Sequence, residues 1–450
     1  MKKLLFGLIT LLVLLVVLSP SLLGFSIFNL GHAIEVSTSM SAKLACSSKF
    51  ITQLEDEQIV KDLASYSPAV NLVDIEYDLQ KQSVKATLFG LAEAKAHYQE
   101  SIGCRLIFDN TNRDKLIINP LKVSDAPWPA GEDTPHIAAL IQQELDEMLR
   151  SDNERGYNSR ALLVIQNGQL LAESYGPNIN SYTPLLGWSM AKSVIAILLG
   201  RMEFLDMIDL NQAQLFEAWL QDERAGISLV QLLQMSSGLD FNETYAPGSD
   251  ATRMLFTAPS ASDIAMTSEL AHKPSQYFSY SSGTTNLLSR YIHQILGNDS
   301  SEDQRFLYQK IFEPLAMANS IFEMDSSGVL VGSSYLYSSG RDWARLGLMM
   351  LNKGRINGHQ IVSEKWVADA IEPNVSENDK RYGYQFWLNR GEDELRWPSL
   401  PEDAYAMMGN RKQSVMIIPS ENIVLVRLGW SAGEYPMASN YRKLLNMLSH

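Results

Sequence analysis

The stretch Gly187-Trp188-Ser189-Met190-Ala191-Lys192-Ser193 constrains this chain more than any other. Thr183 and Pro184 precede it as turn residues. Met190, Val194, Ile195, Ile197 and Leu198 follow as apolar positions of a helix expected to end near Gly200. Positions i and i+3 of a helix share a face, so the Lys192 amine stands within reach of the Ser189 hydroxyl. An alcohol is a weak nucleophile until a base takes its proton. A buried lysine can be that base, because desolvation lowers its pKa. The start of a helix also favours the negative charge of a developing oxyanion. S-x-x-K alone is a weak signal, since a buried helix start with a snorkelling lysine carries the same letters. The rest of the chain has to decide.

With 450 residues the chain has room for two or three domains. Its 37 basic and 51 acidic residues leave a formal net charge of −14, and no basic block stands out. That distribution argues against nucleic acid as a partner. Lys2 and Lys3 are followed by a charge-free run from Leu4 to Gly31. A positive start ahead of an apolar run is an export signal, and the body is expected outside the cytoplasm, in a periplasmic or similar compartment. Gly31-His32-Ala33 is a candidate cleavage site. The uncharged run also exceeds the roughly 20 residues that span a bilayer, so a retained membrane anchor fits equally. Cys46 and Cys104 are the only cysteines. In an oxidising compartment they are expected to pair, with two buried thiols as the competing arrangement.

Residues 1–33 therefore read as signal peptide or anchor, 34–122 as an appendage without visible chemistry, and 123–450 as the main body. In the appendage, Gln58–Leu63 and Leu91–Tyr98 read as helices, and Val73–Tyr77, Ser83–Phe89 and Leu106–Phe108 as strands. Pro127, Pro129, Gly131 and Pro135 mark Val123–His136 as a linker. Ile137–Leu149 has the spacing of an amphipathic helix. Ala161–Ile165 and Gln169–Ser174 flank Asn167-Gly168, a hairpin signal. A mainly helical stretch follows, including Ile227–Met235, Thr285–Ile295 and Trp343–Leu351. Strands return at Tyr382–Leu388, Ser414–Ile418 and Ile423–Leu428, and Met437–Leu448 reads as a closing helix. The fold class is α+β: an antiparallel sheet built from both ends of the main body, carrying a largely helical insertion.

Three motifs in order then resemble the serine β-lactamase-like superfamily, in the branch of class C β-lactamases, related esterases and nylon-oligomer hydrolases. Ser189-Met190-Ala191-Lys192 matches S-x-x-K. Tyr280-Ser281-Ser282 matches Y-x-N with serine in the third place. Gly409-Asn410-Arg411-Lys412-Gln413 occupies the place of K-T-G or H-x-G, and Leu232–Leu239 is similar to a loop of this branch. The resemblance implies an acyl-enzyme on Ser189, with Lys192 and Tyr280 sharing the acid and base work. It implies an oxyanion hole from the backbone N–H groups of Ser189 and Gln413, and substrate contacts from Ser282, Asn410, Arg411 and Lys412. A phenol beside a lysine ammonium is expected to ionise more readily. Asn410 replaces the usual cation and Lys412 the usual glycine. Small esters or amides are therefore expected as substrates ahead of β-lactams. No cofactor and no metal are called for.

Two competing readings remain. Gly187-Trp188-Ser189-Met190-Ala191 falls one residue short of the G-x-S-x-G elbow, but Pro184 interrupts the strand which that elbow needs. A non-catalytic protein binding cell-wall peptides on the same fold is favoured by the altered third motif and opposed by the intact Ser189, Lys192 and Tyr280.

Overall fold

A computed structural model describes residues 26–108, 118–134, 137–391 and 394–449. The proposed export run lies almost entirely outside the described residues. Among these, no helix is long and apolar enough to cross a membrane.

The appendage opens with a helix that sequence reading misses, α1 (Leu30–Phe50). Its serines and threonines hide the pattern, because some of them hydrogen-bond back to the helix. Ser37 Oγ donates to the Ala33 carbonyl at 2.6 Å, and Thr38 Oγ1 to that of Glu35 at 3.0 Å. The candidate cleavage site sits in the first turn of α1, where His32 rests against Gly248 of the main body. After α2 (Asp56–Ala64) come four antiparallel strands in the order β1 (Asp74–Asp78), β2 (Ser83–Leu88), β3 (Ala92–Gln99) and β4 (Gly103–Leu106). Most of the expected helix Leu91–Tyr98 is thus strand β3. Alanine, glutamate and lysine favour helix, but Ala92, Ala94 and Ala96 alternate with the more exposed Glu93, Lys95 and His97. That period of two pairs β3 with both neighbours. Cys46 of α1 and Cys104 of β4 form a disulfide, Cα–Cα 6.0 Å. Alkylation of unreduced protein should therefore find no free thiol, and reduction should release two; two alkylatable thiols without reduction would refute the bridge.

The main body is built around a six-stranded antiparallel sheet. Helix α3 (Ala139–Glu154) leads into the hairpin β5 (Ser159–Gln166) and β6 (Gln169–Tyr175), turned at Asn167 and Gly168, both at positive φ. A short strand β7 (Leu185–Leu186) precedes helix α4 (Met190–Phe204). The insertion then supplies α5 (Ser282–Ile295), β8 (Ser320–Phe322), β9 (Leu336–Ser338) and α6 (Gly340–Leu351). The chain returns as β10 (Trp387–Leu388), β11 (Tyr405–Gly409), β12 (Gln413–Ile418) and β13 (Ile423–Gly429), and closes with α7 (Met437–Leu448). The sheet order is β10-β11-β12-β13-β5-β6, so strands from both ends of the body do share one sheet, as expected.

Alternation along these strands separates two apolar layers. Leu163, Ile165, Val415 and Val424 face the layer containing α4 and α6, while Leu162, Val164, Met416 and Leu425 face α3 and α7. Burial on both faces explains why β5 and β13 read as nearly continuous apolar runs. Helix α4 passes Gly200 because that glycine is a packing site: a Cβ there would fall 2.4 Å from the Trp366 indole. Most of the expected strand Tyr382–Leu388 is loop, and only Trp387–Leu388 joins the sheet. The proline-rich linker is pinned to α6. Arg345 donates to the carbonyls of Pro129 (2.8 Å) and Gly131 (2.7 Å), and Glu132 accepts from Arg341 (2.6 Å) and Arg345 (2.8 Å).

The apolar core runs without a break from appendage to body. At its centre Glu323 is fully buried. It pairs with Lys43 of α1 and accepts from Ser47 Oγ (2.8 Å) and the Cys104 N–H (2.6 Å). A second seam runs through Tyr66, edge-on to both Trp188 and Trp430, with Asp62 paired to Arg160. The appendage thereby touches Trp188, the residue before Ser189.

Candidate active site

Ser189 is the N-cap residue of α4, and the turn that presents it is tight. A Cβ on Gly187 would lie 2.2 Å from the Trp343 ring, so only glycine fits there. Trp188 takes a left-handed backbone conformation, φ 49°, uncommon for a bulky residue and held by burial of its indole against Tyr66, Tyr335 and Trp430. The result leaves Ser189 partly exposed and Lys192, one turn on, 0% exposed.

Lys192 Nζ reaches three oxygens: Ser189 Oγ at 3.1 Å, Ser282 Oγ at 2.9 Å and the Ser333 carbonyl at 3.0 Å. Burial lowers its pKa to about 8, against a smaller opposing pull from Glu243. About a tenth of the amine is therefore free at pH 7, far more than for an ordinary lysine. That amine can donate to Ser282 and Ser333 while its lone pair faces the Ser189 hydroxyl.

Tyr280 lies beside the same group, with Lys192 Nζ 5.0 Å from its ring centroid. Burial pushes its phenol upward, and the neighbouring Ser189 hydroxyl pulls only partly the other way. This reverses the expectation of an easily ionised phenol, because desolvation outweighs nearby positive charge. Tyr280 is a neutral O–H at physiological pH, suited to donating a proton. Its ring stacks on Trp387 (centroids 5.2 Å apart) and meets Tyr382 edge-on at 5.8 Å.

Ser282 opens α5 with its side chain turned to Lys192. Glu243 holds it there, accepting from the Ser282 N–H at 2.7 Å and from Ser282 Oγ at 2.6 Å. With its proton committed to Glu243, Ser282 Oγ is an acceptor toward Lys192. Sequence reading missed Glu243. It sits in a loop far from every motif, and only the fold brings it here.

The third strand is arranged differently from the sequence expectation. A Cβ on Gly409, at the end of β11, would fall 2.1 Å from the Gly187 carbonyl oxygen. Gly409 is therefore the glycine of close approach beside the nucleophile turn, and Met407-Met408-Gly409 carries the x-x-G spacing. Gln413 stands opposite Gly409 on the next strand, and its side-chain amide is tied to Gly429, donating at 2.6 Å and accepting at 2.8 Å. The Arg411 guanidinium lies 3.8 Å from the Tyr66 ring centroid, in the appendage seam. Lys412 pairs with Glu434 at 3.2 Å. Asn410 is exposed, with its Oδ1 accepting from the Arg411 N–H at 2.7 Å. Arg411 and Lys412 both have φ above 60°, and Arg427 secures the turn by donating to their carbonyls at 2.9 and 3.0 Å.

Residues 137–444, which hold this serine at a helix start, the buried lysine one turn on, the tyrosine beside both and the strand glycine, match a family model named Beta-lactamase. The chain belongs to the beta-lactamase family. It is 22% identical over 285 residues to the 6-aminohexanoate-dimer hydrolase of Paenarthrobacter ureafaciens, covering 60% of this chain and 71% of that one. A Bacillus anthracis structure named as a candidate 6-aminohexanoate-dimer hydrolase superposes with TM-score 0.59 at 20% identity, over 76% of this chain and 92% of that one. A family VIII carboxylesterase superposes with TM-score 0.54 at 14% identity, over 70% and 100% of the two chains. These likenesses establish a beta-lactamase-type hydrolase fold for the body. The family match begins at residue 137, so the appendage lies outside it.

Proposed function

We propose that this chain is an exported serine hydrolase that forms an acyl-enzyme on Ser189 with small ester or amide substrates. The observation that carries this reading is the buried Lys192 amine, 3.1 Å from the partly exposed Ser189 hydroxyl and locked by Ser282 and Ser333. Lys192 takes the Ser189 proton as the oxygen attacks the carbonyl. The backbone N–H of Ser189, at the start of α4, receives the oxyanion, with the second backbone donor expected at Gln413. Tyr280 gives its proton to the departing oxygen or nitrogen and regains one from Lys192. Water then releases the acyl group. The cations of the 409–413 turn are engaged elsewhere, Arg411 over Tyr66 and Lys412 on Glu434, which supports esters and amides over β-lactams held by a cation of that turn. The activities in the names of the 6-aminohexanoate-dimer hydrolase and the family VIII carboxylesterase point the same way.

A fluorophosphonate probe should label wild type on Ser189, found by peptide mass spectrometry, and leave Ser189→Ala unlabelled. Labelling elsewhere at wild-type yield would end this reading. The export part rests on the charge-free run after Lys3. A C-terminal reporter active only outside the cytoplasm should give signal, and one active only inside should not.

The lysine also sets a pH dependence. Below about 8 its amine is increasingly protonated and cannot accept the Ser189 proton. For a neutral ester, kcat/KM should therefore rise with pH and level off above about 8. A flat profile from about pH 6 to about pH 9 would remove Lys192 from the role of base.

A further inference from the structure

Over Trp387, which stacks on Tyr280, stands a cation that has no ion-pair partner among the described residues. Arg396 lays its guanidinium over the Trp387 ring, 3.9 Å from the centroid, and Trp387 in turn stacks on Tyr280 at 5.2 Å. Arg396 is therefore no farther from the Tyr280 ring than those two contacts end to end. Among the described residues it makes no ion pair or hydrogen bond, and its Nε is buried without a partner. The neighbouring carboxylate of Asp379 is already engaged by Arg381, at 3.0 Å to Nε and 2.9 Å to Nη2. Arg381 adds a second positive charge beside Arg396.

This cation is partly stripped of water and crowded by like charge. Burial, then Arg381, lowers its pKa to about 10, which leaves it charged at neutral pH. A ligand anion would relieve both costs, and the planar fork of an arginine fits a carboxylate through two hydrogen bonds. The chain as a whole carries −14 and repels anions, so any preference for them has to be local.

We propose that Arg396 is a specificity residue that binds a carboxylate carried by the substrate a few bonds from the carbonyl that Ser189 attacks. The proposal rests on the Ser189 reading above and deepens it: the substrates are esters or amides that bear an anionic group.

The test compares matched substrates that differ in one charge. On the acyl side these are para-nitrophenyl hydrogen glutarate and para-nitrophenyl valerate. On the leaving-group side they are the acetyl esters of para-hydroxybenzoate and para-cresol. Wild type should favour the anionic member of at least one pair in kcat/KM. Arg396→Gln should cut that ratio about tenfold or more, the range for a charge-assisted hydrogen bond, and Arg396→Lys should restore part of it. A role confined to packing against Trp387 would slow both members alike and leave the ratio unmoved, which would overturn the proposal. Glutarate binding to Ser189→Ala, read by calorimetry and by Trp387-dependent fluorescence, tests Arg396 without turnover. Adding Arg396→Gln should weaken that binding about tenfold or more. Equal binding with and without Arg396 would overturn the proposal. If instead Ser189→Ala hydrolyses the esters as fast as wild type, the nucleophile reading fails and the glutarate arm still decides Arg396.

Discussion

Ser189→Ala is expected to bring hydrolysis of a short-chain para-nitrophenyl ester down to the uncatalysed background. In the proposed mechanism the hydroxyl held 3.1 Å from Lys192 Nζ is the group that becomes acylated. Lys192→Ala and Tyr280→Phe should each slow turnover by about 10²- to 10⁴-fold, the range for a positioned acid or base. Their effects should not add, because the residues act on one proton. The double variant should be little slower than the worse single one. Glu243→Gln should cost less than Lys192→Ala, since an amide oxygen can still accept from Ser282. Steady-state kinetics with a burst-phase measurement reads all of these. Equal rates for wild type and Ser189→Ala would end the mechanism. Efficient β-lactam hydrolysis by wild type would overturn the substrate class while keeping the nucleophile.

The second large effect is on stability. Lys43→Met removes the cation that Glu323 faces, leaving a carboxylate with a fully buried side chain and no counter-charge. Breaking one side of a buried pair costs about 3–5 kcal/mol. Chemical denaturation should show that loss. It should also shrink as the pH falls. Burial raises the Glu323 pKa, and losing Lys43 removes a cause that lowers it. A carboxyl raised in the folded state binds a proton more readily there than in the unfolded chain. The variant is therefore most stable where Glu323 is protonated and loses stability as the pH rises. Lys365→Ala is the control. Its side chain is 82% exposed beside Asp369, and its loss should change stability by less than about 1 kcal/mol. A Lys43→Met variant as stable as that control would show that the appendage is not anchored through Glu323.

The central motif was legible because its chemistry is local. Ser189 and Lys192 lie one helical turn apart, so their meeting follows from helix geometry, and the helix follows from an apolar run. The sheet strands were legible for a similar reason: buried on both faces, they carry apolar runs bounded by turn residues such as Asn167-Gly168. The family order of Ser189, Tyr280 and the third strand added the fold class.

What the linear chain could not decide were the pairings that fall between distant segments. Strand β3 has the composition of a helix, and only its partners on either side make it a strand. Met407-Met408-Gly409 differs from its neighbours by one close contact, that of Gly409 with the Gly187 carbonyl, and that contact exists only once β11 lies against the nucleophile turn. Arg411 reads as a free cation until Tyr66 of the appendage covers it. Glu243 and Arg396 lie in loops without a motif. Their positions are set by the residues they meet, Ser282 for one and Trp387 for the other. Tyr280 shows the same limit in energetic form. Sequence places it next to a lysine, which favours the phenolate, but the depth of its burial belongs to the tertiary structure, and burial dominates. Local periodicity settled the helices, the strands and the serine–lysine pair. Desolvation and long-range packing, which no local pattern encodes, settled the charge states and the third strand of the site.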